Sequence, residues 1–159
     1  MKLAGAALAL ALTGCAATTN TAEAPAPPTI HGAGPAETVA ARQATFNLTA
    51  ATFGSMRAAV ESGADLKSLT FGARGLNRWA TALPGMFPAG TDLPASAALP
   101  TVWTDRPGFE ARAAAFQAAT ADLLAAATAN NKPAFAAAVK TTGAACGACH
   151  STYRAEDAH

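Results

Sequence analysis

Cys146-Gly147-Ala148-Cys149-His150 is a C-x-x-C-H run, which sets two thiols and an imidazole within five consecutive residues. Residues three apart on a helix share a face at about 5 Å, so both thiols can reach the two vinyl groups of one porphyrin and bond as thioethers. The histidine that follows is placed to ligate iron through a ring nitrogen. This spacing is the sequence mark of covalently attached haem. A zinc site would want a second ligand pair that the chain lacks, and a redox dithiol would want a βαβ pattern around it. One haem c is therefore the cofactor expected, with Cys146 and Cys149 as its anchors and His150 as the metal ligand.

The chain has three cysteines, and the third lies far from this cluster. Lys2 followed by an apolar stretch from Leu3 to Leu12, too short to span a bilayer, reads as a secretory signal over residues 1–14. Leu12-Thr13-Gly14-Cys15 resembles the bacterial lipobox, after which Cys15 becomes a lipidated first residue. Ordinary cleavage near Ala16 or Ala17, giving a free periplasmic protein, is the alternative. Export agrees with the motif, since haem is joined to such proteins outside the cytoplasm. Ala16 is not the aspartate that holds many Gram-negative lipoproteins at the inner membrane, so the expected place is the periplasmic side of the outer membrane. Two cysteines for haem and one for lipid leave none for a disulfide.

Residues 15–34 are rich in Ala, Thr, Pro and Gly and poor in large apolar side chains, the composition of a flexible tether. His31 lies within it and is expected to be solvated. Eleven Lys and Arg against ten Asp and Glu give a net charge of +1, and loss of Lys2 with the signal leaves the rest neutral. No basic patch calls for nucleic acid. Residues 35–159 are enough for one domain.

Four helices can be read in that domain. From Pro35 to Ser62 large apolar residues recur every seventh position at Val39, Phe46, Phe53 and Val60, with Met56 on the adjoining row, so this helix faces other helices. Pro35 and Glu37 suit its start, and Gly63 its end. Asp65 can cap a second helix carrying Leu69, Leu76 and Leu83, with Trp79 beside them, until Pro84 ends it. Gly72 and Gly75 weaken that helix by up to ~1 kcal/mol each relative to Ala, which makes sense where a backbone or ring approaches closely. Residues 84–107 hold five prolines and two glycines and read as a long crossover. Asp105 then caps a third helix bearing Phe109, Phe116 and Leu123, and Pro133 opens a fourth.

In the fourth helix the seam runs through Phe135, Val139, Thr142, Cys146, Cys149 and Tyr153, so the thiols continue a packed row. The expected fold is all-α: an antiparallel four-helix bundle with a long crossover between its second and third helices and a covalent haem in its core.

With those elements in place, the chain resembles the cytochrome c prime family from Pro35 to Asp157. The likeness rests on Ala41-Arg42-Gln43-Ala44-Thr45-Phe46, on Phe87-Pro88-Ala89-Gly90-Thr91 followed by Val102-Trp103, and on the run from Thr142 through Cys146 and His150 to Arg154. The resemblance implies that Arg42 and Gln43 meet the haem propionates. Arg42 also falls on the apolar seam, where a cation needs an anionic partner, unless it snorkels to the rim. Arg154, one helical turn after His150, is implied to lie beside that imidazole and either steer a ligand or discourage protonation. A solvated arginine favoured by the helix dipole is the other reading.

Phe46 matters most for the chemistry. Related six-coordinate cytochromes hold methionine at the matching place, and phenylalanine has no lone pair to give iron. A five-coordinate haem under an apolar cover, suited to nitric oxide and carbon monoxide, is the implied outcome, with electron exchange as a second capacity. The expected partners are a diatomic gas, a periplasmic or membrane redox partner and, as an open alternative, a second copy in a homodimer. Membrane contact would come through the lipid anchor alone.

The competing reading is a dedicated six-coordinate electron carrier of the c-556 type with Met86 as sixth ligand. Met56 is excluded there, because ten residues carry it about 15 Å beyond Phe46 along the helix. An enzyme such as a peroxidase would need a distal acid or base, and the only other histidines, His31 and His159, lie in the tails.

Overall fold

The computed structural model describes residues 33–156. The segments expected to be a signal and a tether, with Cys15, fall outside the described residues except for residues 33 and 34, as does His159.

Helix α1, Pro35–Ser62, starts after an extended Gly34 with proline in its first turn and Glu37 near its positive end. It stops at Gly63, whose φ of 66° is the left-handed conformation that only glycine adopts without strain. Asp65 caps a 3-10 turn, Leu66–Leu69, its side chain accepting from the Lys67 N–H. Only after that turn does the second helix, α2, run from Thr70 to Ala82. A second 3-10 turn, Leu83–Met86, closes α2 where Pro84 has no N–H to donate.

Gly72 is where α1 and α2 come close: a Cβ there would sit 3.1 Å from Thr52 Cγ2. Gly75 has open space around it, so the close approach expected at both glycines occurs at one.

The connection over residues 84–107 carries more order than a plain crossover, and it does not cross the bundle. It contains a one-turn helix, α3 (Thr101–Thr104), and a single bridge between Ala98 and Arg154. Arg106, at the start of the next helix, donates to Phe87 O at 3.1 Å and to Pro84 O at 2.7 Å, so the connection leaves and rejoins the bundle at the same end.

Helix α4, Arg106–Thr128, is capped by Asp105, which accepts from the Gly108 N–H at 3.2 Å. Tyr153 Oη donates to the other oxygen of that carboxylate at 2.7 Å, which ties the end of the last helix to the start of α4. That last helix, α5, Lys132–Tyr153, begins with Asn131 accepting from the Ala134 N–H and Pro133 in its first turn.

The four long helices run antiparallel in order. Helix α4 packs along both α2 and α5, whereas α1 meets α2 and α5 over much less of its length. At the end with the two short turns the seam is filled by Met56, Leu66, Leu123 and Phe135, none more than 1 % exposed. The turns there are also bonded to each other, Leu66 N–H to Asn130 Oδ1 at 3.1 Å. Val60, expected on the seam, is exposed at the last turn of α1. At the other end, under the long connection, α1 stands away from α5.

Candidate haem-binding site

The space between α1 and the C-terminal half of α5 is a cavity of about 1070 Å³, walled also by α2, α4 and the connection. Cys146, Cys149 and His150 form one wall, and Phe46 and Phe53 of α1 line it as well. Gly54 of α1 lines the cavity, and nothing lies within 4 Å of where a Cβ on that residue would stand.

Both thiols are half-buried, and burial pushes each above its ordinary pKa. Cys146 raises Cys149 further, while the nearby Arg112 guanidinium acts the other way. Burial pulls the His150 imidazole below its usual value, and the charge of Arg154 adds to that. A neutral imidazole has a nitrogen lone pair free for a metal. Thr142 Oγ1, on the same wall one turn before Cys146, is buried with no hydrogen-bond partner among the described residues.

These features fit a haem. The volume is at the upper end of the roughly 300–1,000 Å³ common for small-molecule sites. The donor set is two free thiols one turn apart followed by an imidazole. The lining is largely apolar and aromatic, as a porphyrin face requires.

Arg42 and Gln43, read from sequence as partners of the propionates, both line the cavity and both hold the connection. The Arg42 guanidinium is buried. Nη1 donates to Thr91 Oγ1 at 2.9 Å and, at 3.4 Å, to Met86 O. Nη2 donates to Thr91 O at 2.8 Å and to Ser96 Oγ. Its Cζ lies 4.3 Å from the centre of the Phe87 ring, a cation–π contact. Within the protein, neutral oxygens and an aromatic face thus serve where an anion was expected. Gln43 Nε2 donates to Ala95 O at 2.7 Å.

Phe46 meets Trp79 edge to face, with ring centres 5.4 Å apart, and lies 6.5 Å from Phe87. Neither Met56 nor Met86 lines the cavity. Met56 is packed at the filled end of the bundle, and Met86 is partly buried in the turn after α2. Arg154 departs from its expected position as a further turn of the same helix. Helix α5 ends at Tyr153, and Arg154 is extended and bridged to Ala98, yet it still lines the cavity mouth.

Sequence reasoning missed three residues here. Arg112 follows Phe109 by three and precedes Phe116 by four, so it is a cation on the seam row, the same signal that singled out Arg42. Arg57 follows Phe53 by four. Both line the cavity. Trp79 was legible only as a seam residue, and its contact with Phe46 depends on how α1 and α2 pack.

An antiparallel helical bundle with a C-x-x-C-H turn opening into a porphyrin-sized cavity defines a c-type cytochrome of the four-helix-bundle class. Residues 37–154 match the family model described as Cytochrome C', and the chain belongs to that family. It carries covalently bound haem c, and Cys146 and Cys149 are the thiols present to hold it.

Cytochrome c-556 of Agrobacterium tumefaciens (strain B2A) is 44% identical over 75 residues, which cover 47% of this chain and 60% of that protein. Cytochrome c-556 of Agrobacterium fabrum (strain C58 / ATCC 33970) is 41% identical over 75 residues, covering 47% and 50%. The matched stretch therefore spans less than two thirds of these relatives.

Among solved structures, cytochrome c' from Rubrivivax gelatinosus superposes with a TM-score of 0.71 at 32% identity, covering 76% of this chain and 97% of that one. The nitric oxide complex of a mutant cytochrome c prime from Alcaligenes xylosoxidans gives a TM-score of 0.73 at 31% identity, covering 79% and 99%.

Proposed function

We propose that this protein presents a five-coordinate haem, held by His150, that binds nitric oxide and carbon monoxide and also exchanges electrons. The observation that carries the reading is the cavity lining. Among the described residues it includes one imidazole, His150, and no methionine, and Phe46 of α1 is part of it. The nitric oxide complexes of cytochrome c prime from Alcaligenes xylosoxidans support the same ligand class.

Bound haem would supply the metal centre at which a gas binds. The residues of the chain do the rest. Cys146 and Cys149 would anchor the ring, and His150, whose pKa is lowered by burial and by the charge of Arg154, would offer its lone pair from α5. Phe46, backed by Trp79, would lie against bound haem as an aromatic side chain that has no lone pair to give iron and no hydrogen bond to offer dioxygen, which favours nitric oxide and carbon monoxide. Arg42 and Gln43, already bonded to the connection, are placed on the cavity wall to meet the propionates.

The second reading, a six-coordinate electron carrier with Met86 as ligand, draws support from the relatives named cytochrome c-556. Electronic and resonance Raman spectra of the ferric and ferrous protein, with and without nitric oxide, separate the two. A high-spin ferric spectrum that Phe46→Met turns low-spin is the expected result. A low-spin wild type that becomes high-spin on Met86→Ala would replace this reading with the carrier.

Lipid anchoring at Cys15 on the periplasmic side of the outer membrane belongs to the same proposal. Among the described residues no helix is long and apolar enough to cross a membrane. Cell fractionation tests the anchor: Cys15→Ser should move haem protein from the membrane pellet to the soluble periplasm or stop its processing.

A further inference from the structure

We infer that the connection between α2 and α4 holds the iron ligand in place, with Thr101 and Tyr153 as positioning residues for His150. The inference rests on His150 as the iron ligand and goes beyond gas binding and electron exchange.

His150 stands in the last turn of α5, which ends three residues later at Tyr153. The final carbonyls of a helix have no partner within it, so such a turn frays unless something outside meets them. Helix α1 solves this locally, because Gly63 turns left-handed and lets the Ala64 N–H return to Ala59 O at 3.2 Å. Helix α5 has no such device. Arg154 is extended, and among the described residues positive φ angles belong to Gly63, Gly90 and Asn130 alone.

The connection meets the carbonyls of α5 instead. Leu99 N–H donates to Tyr153 O at 3.0 Å and Thr101 Oγ1 to Thr152 O at 2.8 Å, while Ala155 N–H donates to Ala97 O at 2.9 Å. Tyr153 Oη adds a side-chain tie to Asp105 at 2.7 Å. The Tyr153 ring is buried edge to face against Phe109, which keeps that hydroxyl in one place.

The same stretch is bound at its other side to α1. Ser96 Oγ accepts from Arg42 Nη2 and from the Ala98 N–H, and Ala95 O accepts from Gln43 Nε2. The connection therefore runs from the helix whose Phe46 lines the cavity to the turn that carries His150. Groups behind a metal ligand set its orientation and how firmly it holds the metal. Here a thioether at Cys149 would fix the residue before His150, and the connection fixes the turn after it.

The test uses the haem-loaded ferrous protein, in which resonance Raman reads the iron–imidazole stretch of a high-spin haem. Thr101→Val and Tyr153→Phe, singly and together, should move that band to lower frequency and broaden it, because a less firmly seated imidazole bonds iron more weakly. Amide exchange at Arg154, whose N–H donates to His150 O at 3.2 Å, should quicken roughly fivefold for each bond lost, while Leu123 keeps its protection. Thr101→Ser retains a hydroxyl for Thr152 O and should restore both readouts.

Quickened exchange with an unmoved stretch overturns the positioning role and leaves the connection as a helix cap. Both unmoved overturns the hold altogether, and a Thr101→Ser protein that behaves like Thr101→Val overturns the part given to the hydroxyl. If Tyr153→Phe fails to load haem, Thr101→Val decides alone, since its bond to Thr152 lies at the surface. A low-spin wild type has no such stretch, and that result overturns the five-coordinate reading. The hyperfine-shifted His150 proton resonances of the ferric protein then carry the comparison, and their constancy across the variants overturns the positioning role.

Discussion

The two ends of the bundle use the same seam for opposite purposes. At the end with short turns, Met56, Leu66, Leu123 and Phe135 close the space between helices and are almost wholly buried. At the other end the same helices diverge, and Phe46, Phe53, Cys146 and Cys149 are only partly buried because they wall a cavity. Helix α4 shows the change along one element, with Phe109 and Phe116 on the cavity wall and Leu123 in the closed core.

Residue size on the facing helices makes the difference. Where the closed end has Met56 on α1 and Phe135 on α5 in its buried core, the open end has Ala50 and Gly54 on α1 and Gly143 and Ala145 on α5 along the cavity wall. A heptad therefore sets which faces meet, and the small residues within it set whether they touch or leave room for a ring.

The comparison can be broken first at the open end. Replacing Cys146 and Cys149 by Ala should abolish covalent haem altogether, seen as loss of the haem-stained band on a denaturing gel. Survival of that stain would remove the thioether assignment.

Next in size is the closed end. Leu123→Ala should cost about 3 kcal/mol in denaturant unfolding of the haem protein, because the site is fully packed and cannot collapse. Its native visible spectrum should stay that of the wild type. A spectral change as large as the stability change would mean the two ends are not separable.

Arg42→Met should cost less, about 2 kcal/mol, since it leaves the buried Thr91 oxygens without their donor while methionine keeps much of the packing. The connection should loosen, and hydrogen exchange at Thr91 and Ala98 should quicken while Leu123 keeps its protection. Equal loss of protection at both places would contradict a local clamp.

The smallest effect distinguishes two glycines of α2. Gly75→Ala should stabilise by up to ~1 kcal/mol, as the added methyl meets open space in a helix. Gly72→Ala should gain less or lose, since its methyl would press on Thr52 at 3.1 Å. A reversed order would mean that α1 and α2 do not approach at Gly72.

Much of this architecture is written locally. The haem turn is five consecutive residues, and the helix starts at Pro35, Asp105 and Asn131 with the stop at Gly63 arise from bonds within one turn of chain. Seam residues such as Phe135 and Leu123 come from a period that a helix repeats wherever it lies. These are short-range properties, so the amino-acid sequence by itself determines them: four helices, their inward faces and a haem-binding turn near the end of the last.

Tertiary structure decided what long side chains and connections do with that frame. Arg42 on an apolar row announced a buried cation, yet its partners are Thr91, Ser96 and the face of Phe87, some fifty residues on, brought there by a connection that folds back over one end. Trp79 behind Phe46, and Arg57 and Arg112 around the cavity, likewise have their roles from neighbours on other helices. Periodicity and capping depend on residues a few positions apart. The partner of a long charged or aromatic side chain is set by which helices lie beside it, and that is settled only when the whole bundle has packed.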